Sequence, residues 1–231
     1  MKTLGLIGGM SWESTAVYYR LLNHLARERL GGHHSAPLLI WSVDFAPIAA
    51  MQARGDWAAA TAEMVTAARG LEAAGGSALL ICANTMHRMA DEVAASVSIP
   101  LIHIADATAK ALRDLGSRRP LLLATRFTME QAFYRDRLSA AGVEAVIPPA
   151  SARERLHAMI YDELVQGRIE PASRAAFVAI VAAAVAEQGI DAAILGCTEF
   201  GLLVGPDDLA VPAIDTTEVH ARAAIDFALG L

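Results

Sequence analysis

Two cysteines stand where apolar runs give way to polar residues, a placement that suits acid–base or nucleophilic chemistry. Cys82 ends the run in "LLICANTMH", and Cys197 ends the run in "AILGCTEF". Free cysteine is among the most buried residue types, so one such residue alone is more easily explained as packing. Because two cysteines here have matching surroundings, a pair of reactive thiols becomes the hypothesis to test.

The elements that would position these thiols follow from the hydrophobic pattern. Short runs of Leu, Ile and Val alternate with longer amphipathic stretches, which predicts an α/β fold with parallel strands joined by helices. The predicted strands are 4–8, 38–43, 78–82, 100–103, 121–125, 143–147, 192–196 and 212–214. The predicted helices are 12–30, 57–74, 84–96, 105–115, 128–140, 151–166, 171–188 and 216–229, with caps at or near Ser11, Asp56, Thr128 or Phe127, Ser151 and Asp215.

The predicted strands form two sets of four that resemble each other. "LLICANT" corresponds to "AILGCTE", and the segment from Ile99 corresponds to the segment from Val211. We therefore predict two similar α/β domains with parallel-sheet cores, related by a pseudo-twofold duplication, with the active site in the cleft between them. The domains are 1–115 and 116–231, and the C-terminal segment can pack back onto the first. The alternative is that any two strand–helix units look alike.

This arrangement gives both cysteines a chemical role. Ligands of open parallel sheets bind at the carboxyl ends of the strands, where both thiols are expected. A helix N-terminus at that edge would lower a thiol pKa from about 8.5 toward neutrality and hold a substrate carboxylate. Two thiols on opposite sides of a ligand can remove a Cα proton and return one to the other face, which is racemisation.

Composition argues against several classes of partner. The formal charge is −6 and no basic run occurs, which argues against nucleic-acid binding. No window reaches the roughly 18 consecutive apolar residues of a membrane span, and "MKTLGLIGGM" is interrupted before a signal-peptide run forms. Two cysteines do not make a disulfide framework. We expect a cytoplasmic protein with neither a nucleic-acid nor a membrane partner.

The residues also argue against a cofactor or a metal. Pyridoxal phosphate enzymes need a lysine, and the chain has only Lys2 and Lys110, neither of them expected at the ligand-binding edge. "GLIGG" lacks the G-x-G-x-x-G spacing, so we interpret it as a tight turn whose backbone N–H groups approach an anion. The histidines lack a metal-ligand spacing. We expect no cofactor and no metal.

Three polar residues near the predicted edge have two interpretations each. His87 can pair with a carboxylate or point to solvent, and solvent is slightly favoured. Glu199 can influence the Cys197 thiol or serve only as a partner of the helix dipole. Asp44 can orient a catalytic group or cap the next segment.

Several segments together resemble the aspartate/glutamate racemase family, especially its broad-specificity amino acid racemase branch. They are "LGLIGGMSWESTAVYYR", "CANTMH", "HIADAT", "TRFTMEQAFYR" and "LGCTEFGLLV". The resemblance implies a cofactor-independent racemase of two similar α/β domains, usually a homodimer, with Cys82 and Cys197 as the catalytic pair. It also implies that the substrate is bound by Met10, Ser11, Gln52, Asn84, Thr85, Thr125, Thr128 and Thr198.

The resemblance also bears on the substrate, which is expected to be aspartate, glutamate or a related small polar amino acid. In aspartate-selective relatives a lysine follows an Ile-Tyr helix motif, whereas "IYDELVQG" offers Val165, which argues against strict aspartate specificity. Arg54, Arg126 and Gln52 are the candidate contacts for the distal group. Family analogy assigns Cys197 as the base toward the L-enantiomer and Cys82 as the base toward the D-enantiomer.

Two other functions remain open from the sequence. A decarboxylase or isomerase on a related scaffold would use one cysteine, and a non-catalytic amino acid-binding protein would need neither.

Overall fold

Strands and helices alternate along the chain in the computed structural model, which describes residues 1–231 apart from the side chain of Pro206. The strands are β1 Leu4–Gly8, β2 Leu38–Ser42, β3 Ala78–Ile81, β4 Pro120–Ala124, β5 Ala192–Gly196 and β6 Ala213–Asp215. The α-helices are α1 Trp12–Leu30, α2 Phe45–Arg54, α3 Trp57–Ala73, α4 Ala90–Ala95, α5 Ile104–Leu115, α6 Arg126–Glu130, α7 Ala132–Ala140, α8 Ala150–Ala158, α9 Pro171–Gln188, α10 Phe200–Leu203 and α11 Thr216–Leu229. Among the described helices, none is both long and apolar enough to cross a bilayer.

The chain divides into two compact units, each with its own core. The first unit is Met1–His103 with His220–Leu231, and the second is Ile104–Val219. The repeat in the sequence suggested a boundary at residue 115 instead, but packing places α5 in the second unit. There the Thr108 hydroxyl lies 3.3 Å from the Tyr134 hydroxyl, and buried residues of α5 join the core of that unit.

Each unit contains a parallel sheet, and the two sheets have the same strand order. In the first unit the order is β2-β1-β3, and Leu101 adds a parallel bridge to Leu79 beyond β3. In the second unit the order is β4-β5-β6, and Val146 adds a parallel bridge to Leu121 beyond β4. When the two bridged segments are counted as outer strands, both sheets have four strands in the same order. β1 then holds the position of β4, and β3 holds the position of β5. The α/β fold with two similar parallel-sheet cores is therefore confirmed.

Two predicted strands are shorter than the sequence suggested. The segments 100–103 and 143–147 each contribute only one bridge instead of a strand. Each makes two backbone hydrogen bonds to its neighbour, such as Ile102 N–H to the Leu79 carbonyl at 2.9 Å and Val146 N–H to the Pro120 carbonyl at 2.8 Å. These bonds give each segment the sheet position of an outer strand without its length.

Hydrophobic burial explains why the strands and helices pack as they do. All residues of β1, β3, β4 and β5 are buried, as expected for parallel strands covered by helices on both faces. One face of the first sheet packs on α1 and α11 through residues such as Leu6, Leu22 and Ile225. The other face packs on α3 through residues such as Ile7 and Met64.

Helix starts follow side-chain capping, and two predicted caps are wrong. Ser11 and Asp56 cap α1 and α3 as predicted. The cap of α6 is Thr125 instead of Thr128 or Phe127, because the Thr125 hydroxyl accepts from the Thr128 N–H at 3.3 Å. The helix predicted from 151 follows Pro149 instead of Ser151.

Several predicted helices are also broken or were missed. The segment 84–96 is a 3-10 helix, Thr85–Met89, followed by α4, and 128–140 is interrupted at Gln131 between α6 and α7. The segment 151–166 becomes α8, a π-helix at Met159–Glu163 and a 3-10 helix at Leu164–Gln166. Two short elements, α10 and a 3-10 helix at Pro206–Asp208, were not predicted.

Candidate active site

Cys82 is the first residue after β3, at the carboxyl end of the first sheet. Its N–H donates to the Ile7 carbonyl at 2.9 Å, which extends the pairing with β1 by one bond. The side chain is fully buried and belongs to the same apolar cluster as Tyr18 and Ala221. Burial raises the pKa of the Cys82 thiol, since the protein offers this sulfur little compensation for lost hydration.

Cys197 holds the equivalent position after β5, in the second sheet. The thiol is 7% exposed and donates a hydrogen bond to Glu199 Oε2 at 3.0 Å. The Thr198 hydroxyl donates to the same oxygen at 2.7 Å. Burial first, and then the charge and side-chain hydrogen bond of Glu199, raise the pKa of Cys197; the charge of Asp215 contributes further in the same direction.

The expectation that helix N-termini would lower both thiol pKa values is wrong. The elements that follow the cysteines are a 3-10 helix of five residues and an α-helix of four, so few peptide dipoles are aligned behind each sulfur. Desolvation is the larger effect at both sites. Any thiolate formed here therefore needs a nearby proton acceptor, and Cys197 has one in Glu199.

The predicted substrate-binding residues of the first unit are all buried near the carboxyl end of its sheet. Ser11 caps α1 by accepting from the Ser14 N–H at 3.3 Å, and the buried Gln52 donates from Nε2 to Met86 Sδ at 3.1 Å. Asn84 and Thr85 follow Cys82 after Ala83, and Met10 lies in the apolar cluster with Ile7. Met10 and Ser11 lie two and three residues after the end of β1, and Asn84 and Thr85 lie three and four residues after the end of β3. Gln52 comes from α2 and contacts this region through Met86.

The predicted substrate-binding residues of the second unit are three threonines. The hydroxyls of Thr125 and Thr128 lie 3.2 Å apart, at the start of α6 just after β4. Thr128 is fully buried, and Thr125 is the helix cap, so both have a local structural role. Thr198 lies beside Cys197 and bonds Glu199. The second sheet thus places polar groups after β4 and after β5, the equivalents of β1 and β3.

In the glycine turn after β1, one backbone N–H is already paired within the protein. The Gly9 N–H donates to the Thr15 hydroxyl at 2.8 Å, so Thr15 satisfies this group. Gly9 has φ +90°, and a Cβ there would lie 2.2 Å from the Val43 carbonyl oxygen. Only glycine allows β2 and this turn to approach so closely.

The structure gives the environments of four other polar residues, which the sequence left open. His87 is 2% exposed and packs against His103, so the favoured solvent-facing position is wrong. Asp44 caps α2 by accepting from the Ala46 N–H at 3.1 Å, which is the second of its two interpretations. Arg54 and Arg126, the candidate distal contacts, are both exposed.

Sequence reasoning missed two residues near Cys197. Tyr161, on the π-helix, packs against the core cluster that contains Cys197; burial, Cys197 and Glu199 raise its pKa. Asp215, which was predicted only as a cap, caps α11 through the Thr217 N–H at 2.8 Å and also raises the pKa of Cys197. An irregular π-helix is often found at functional sites, but nothing in the sequence marks one.

No group of three or more His, Cys, Asp or Glu side chains in the described part of the chain is arranged as a metal site. The two lysines lie elsewhere: Lys2 Nζ is 4.4 Å from the centre of the Phe227 ring, and the exposed Lys110 pairs with Asp114 at 2.5 Å.

Comparison with known proteins decides the family. A family model described as Asp/Glu/Hydantoin racemase matches residues 7–224, which include both cysteines. This chain belongs to that racemase family. Membership supports a racemase activity, which is an isomerase activity, and implies a small amino acid substrate.

Solved structures agree with this racemase assignment. A provisionally assigned Asp/Glu racemase from Yersinia pestis is 47% identical, with a TM-score of 0.91 over 99% of this chain and 100% of its own. An aspartate racemase homologue from Pyrococcus horikoshii is 33% identical, with a TM-score of 0.86 over 99% of this chain and 100% of its own. The Picrophilus torridus aspartate racemase is 22% identical and shares the fold, with a TM-score of 0.79 over 100% of this racemase chain and 95% of its own.

Proposed function

We propose that this chain is a cofactor-independent racemase that interconverts the L- and D-forms of aspartate, glutamate or a related small polar amino acid. In this proposal Cys82 and Cys197 exchange protons with the two faces of the same Cα. The observation that carries it is the equivalence of the two thiols, because each is the residue that follows the corresponding strand, β3 or β5, of two sheets with the same order.

The environment of Cys197 supports an assignment of roles. A buried thiol of raised pKa must lose its proton before it can act as a base, and Glu199 Oε2 is 3.0 Å away to receive it. The Cys197 thiolate then removes the Cα proton of the L-enantiomer, and the Cys82 thiol gives its proton to the opposite face. The reverse reaction uses the same groups in the opposite order.

The polar residues next to each cysteine suit the binding of the substrate carboxylate. We propose Asn84, Thr85 and Thr198 for this contact, with Met10, Ser11, Thr125 and Thr128 lining the pocket. Gln52 is the best placed of the three candidates for the distal group, since it is buried and contacts Met86, next to Thr85, whereas Arg54 and Arg126 are exposed. An amide binds a hydroxyl or a carboxylate, so aspartate, glutamate and homoserine are the substrates to test first.

The first prediction concerns activity without any added cofactor. The purified protein, dialysed against EDTA, should interconvert L- and D-aspartate, glutamate or homoserine at the same rate as the undialysed protein, measured by chiral chromatography. We expect no absorbance of bound pyridoxal. Loss of turnover on dialysis, restored by a metal or by pyridoxal phosphate, would contradict the proposal, as would conversion of none of these amino acids.

We also propose that the chain forms a homodimer, supported by an exposed apolar surface on the first unit. Trp12 and Tyr19 of α1 are 65% and 54% exposed, and Ile40 of β2, which lines the same groove, is 41% exposed. β2 is the edge strand of its sheet, and a groove of about 620 Å³ runs between it and α1. Exposed patches of large apolar residues typically mark interaction surfaces, and a stable dimer buries about 800 Å² per partner.

The cytoplasmic location of the protein remains a prediction from the sequence.

Introducing negative charge into this apolar surface tests whether it is the dimer interface. Trp12→Glu with Ile40→Glu should convert the protein from dimer to monomer in sedimentation velocity, because two carboxylates would be buried in an apolar interface. The matched control is Ile169→Glu, which alters an exposed isoleucine of the second unit and should leave the dimer intact. A monomeric parent, or a double variant that remains dimeric, would contradict this surface.

A further inference from the structure

Four aromatic side chains of the first unit form a buried cluster that the proposed mechanism does not use. They are Tyr18 of α1, His87, His103 and His220 of α11, and none is more than 6% exposed. The ring centres of His87 and His103 lie 4.5 Å apart, and those of His87 and His220 lie 5.7 Å apart. We call these four residues the imidazole cluster. Three histidines are unusual in a core, because each carries two polar nitrogens to be satisfied.

His220 is held in one neutral form by its two partners. Its Nε2 lies 2.7 Å from the Ile102 carbonyl, which can only accept, so Nε2 carries the proton. Its Nδ1 then accepts from the Tyr18 hydroxyl at 2.7 Å. Burial lowers the pKa of His220 to about 4, which keeps the ring neutral at physiological pH. This ring is therefore a fixed support with α1 on one side and the backbone before His103 on the other.

His87 connects this support to the residues around Cys82. Its Nδ1 lies 2.9 Å from the Ala83 carbonyl, so Nδ1 carries the proton and donates it. The His87 backbone N–H also donates to the Asn84 carbonyl at 3.1 Å. Ala83 is the one residue between the Cys82 thiol and Asn84. The His87 ring therefore fixes the peptide that joins the proposed acid–base group to the proposed carboxylate contact.

We propose that His87 is a positioning residue of this racemase, which orients the Cys82-Ala83-Asn84 segment through the Ala83 carbonyl and is itself held by the rings of His103 and His220. The inference rests on the proposed function, because it assigns His87 to the Cys82 side of the reaction. The role requires one N–H donor at the Nδ1 position, which binds the Ala83 carbonyl. A histidine needed only to fill space would not depend on that donor.

The test compares side chains that keep or lose this donor. The amide nitrogen of asparagine can occupy the place of Nδ1, whereas glutamine is longer by one methylene and leucine has no donor. We expect His87→Leu to lower kcat/KM by about 100-fold, the effect of a displacement of roughly 1 Å in a reacting group. His87→Asn should stay within about fivefold of the parent, and His87→Gln should resemble His87→Leu. His33→Leu, at an exposed histidine of the same unit, is the control and should match the parent.

A second readout separates this inference from the proposed function. Amide hydrogen exchange of the segment 82–89 should be faster in His87→Leu than in the parent and nearly unchanged in His87→Asn, whether or not the parent racemises any amino acid tested. If the parent is inactive but shows this exchange pattern, the racemase proposal is overturned and the positioning role of His87 still holds.

Three results would overturn the inference about His87. They are parent-like activity and exchange in His87→Leu, equal impairment of the asparagine and leucine variants while both remain folded, and parent-like activity in His87→Gln. If His87→Leu does not fold, the asparagine and glutamine variants alone decide, since their difference isolates the position of the donor.

Discussion

Replacing Cys197 or Cys82 with serine should lower racemisation at least about 100-fold at either position, and as much as about 10⁴-fold, in both directions of the reaction. A serine hydroxyl is far less acidic than a thiol, so it neither becomes a base nor returns a proton at neutral pH. Both thiols are needed in each turnover, one as base and one as acid. Because an enzyme cannot change the equilibrium between enantiomers, neither variant should remain fast in one direction only.

Each of these variants must be shown to fold like the parent before its rate is interpreted. Serine is close in size to cysteine, but both sites are buried, so the thermal midpoint of each variant is measured beside its rate. Cys82→Ala and Cys197→Ala supply a second pair in which no hydroxyl is introduced into the apolar surroundings. A folded Cys82→Ser variant that racemises at the parent rate would reduce the mechanism to one cysteine, and the same result for Cys197→Ser would remove its assigned role.

Glu199→Gln should have the next largest effect, a loss of about 100-fold in kcat. The amide keeps the shape of the side chain and can still bond the Thr198 hydroxyl, but it cannot take the proton of Cys197. The carboxylate also raises the pKa of Cys197 by its charge, so its removal lowers that pKa. Any residual activity that needs the Cys197 thiolate should therefore move to lower pH than in the parent.

This pH shift distinguishes two roles of Glu199. If the carboxylate were only an unfavourable charge beside the thiol, Glu199→Gln would form the thiolate more readily and would equal or exceed the parent rate at neutral pH. Asp207→Asn is the matched control, since Asp207 is an exposed acid of the same unit, and its pH–rate profile should match that of the parent.

The sequence was informative about the thiols because their positions depend on local patterns. An apolar run that ends at a cysteine and turns polar marks the carboxyl end of a buried strand, and both cysteines lie there. The caps Ser11 and Asp56 were predictable for the same reason, since a cap and its N–H partner are three residues apart. The repeated pattern also predicted two similar sheets, although packing, which the pattern does not contain, decides that α5 belongs to the second unit.

What the sequence did not predict depends on tertiary contacts. The pKa of each thiol follows from burial, and a helix start in the sequence does not reveal how much water remains at the sulfur. His87 was expected at the surface because nothing nearby in sequence marks its partners, which include His220, far along the chain. α2 was missed because Pro47 interrupts its pattern, yet a proline in the first turn removes no intrahelical hydrogen bond.

The most direct test of the two-thiol mechanism is the fate of the Cα proton in D2O. A single L-enantiomer is incubated with the protein, and both enantiomers are separated early in the reaction for mass analysis. With two thiols, the D-product should carry one solvent deuteron from its first appearance while the remaining L-substrate is still protiated, because one thiol removes the proton and the other delivers a deuteron. Early D-product that retains the original proton, or deuterium that enters the L-substrate as fast as the D-product, would indicate a single acid–base group and contradict the account.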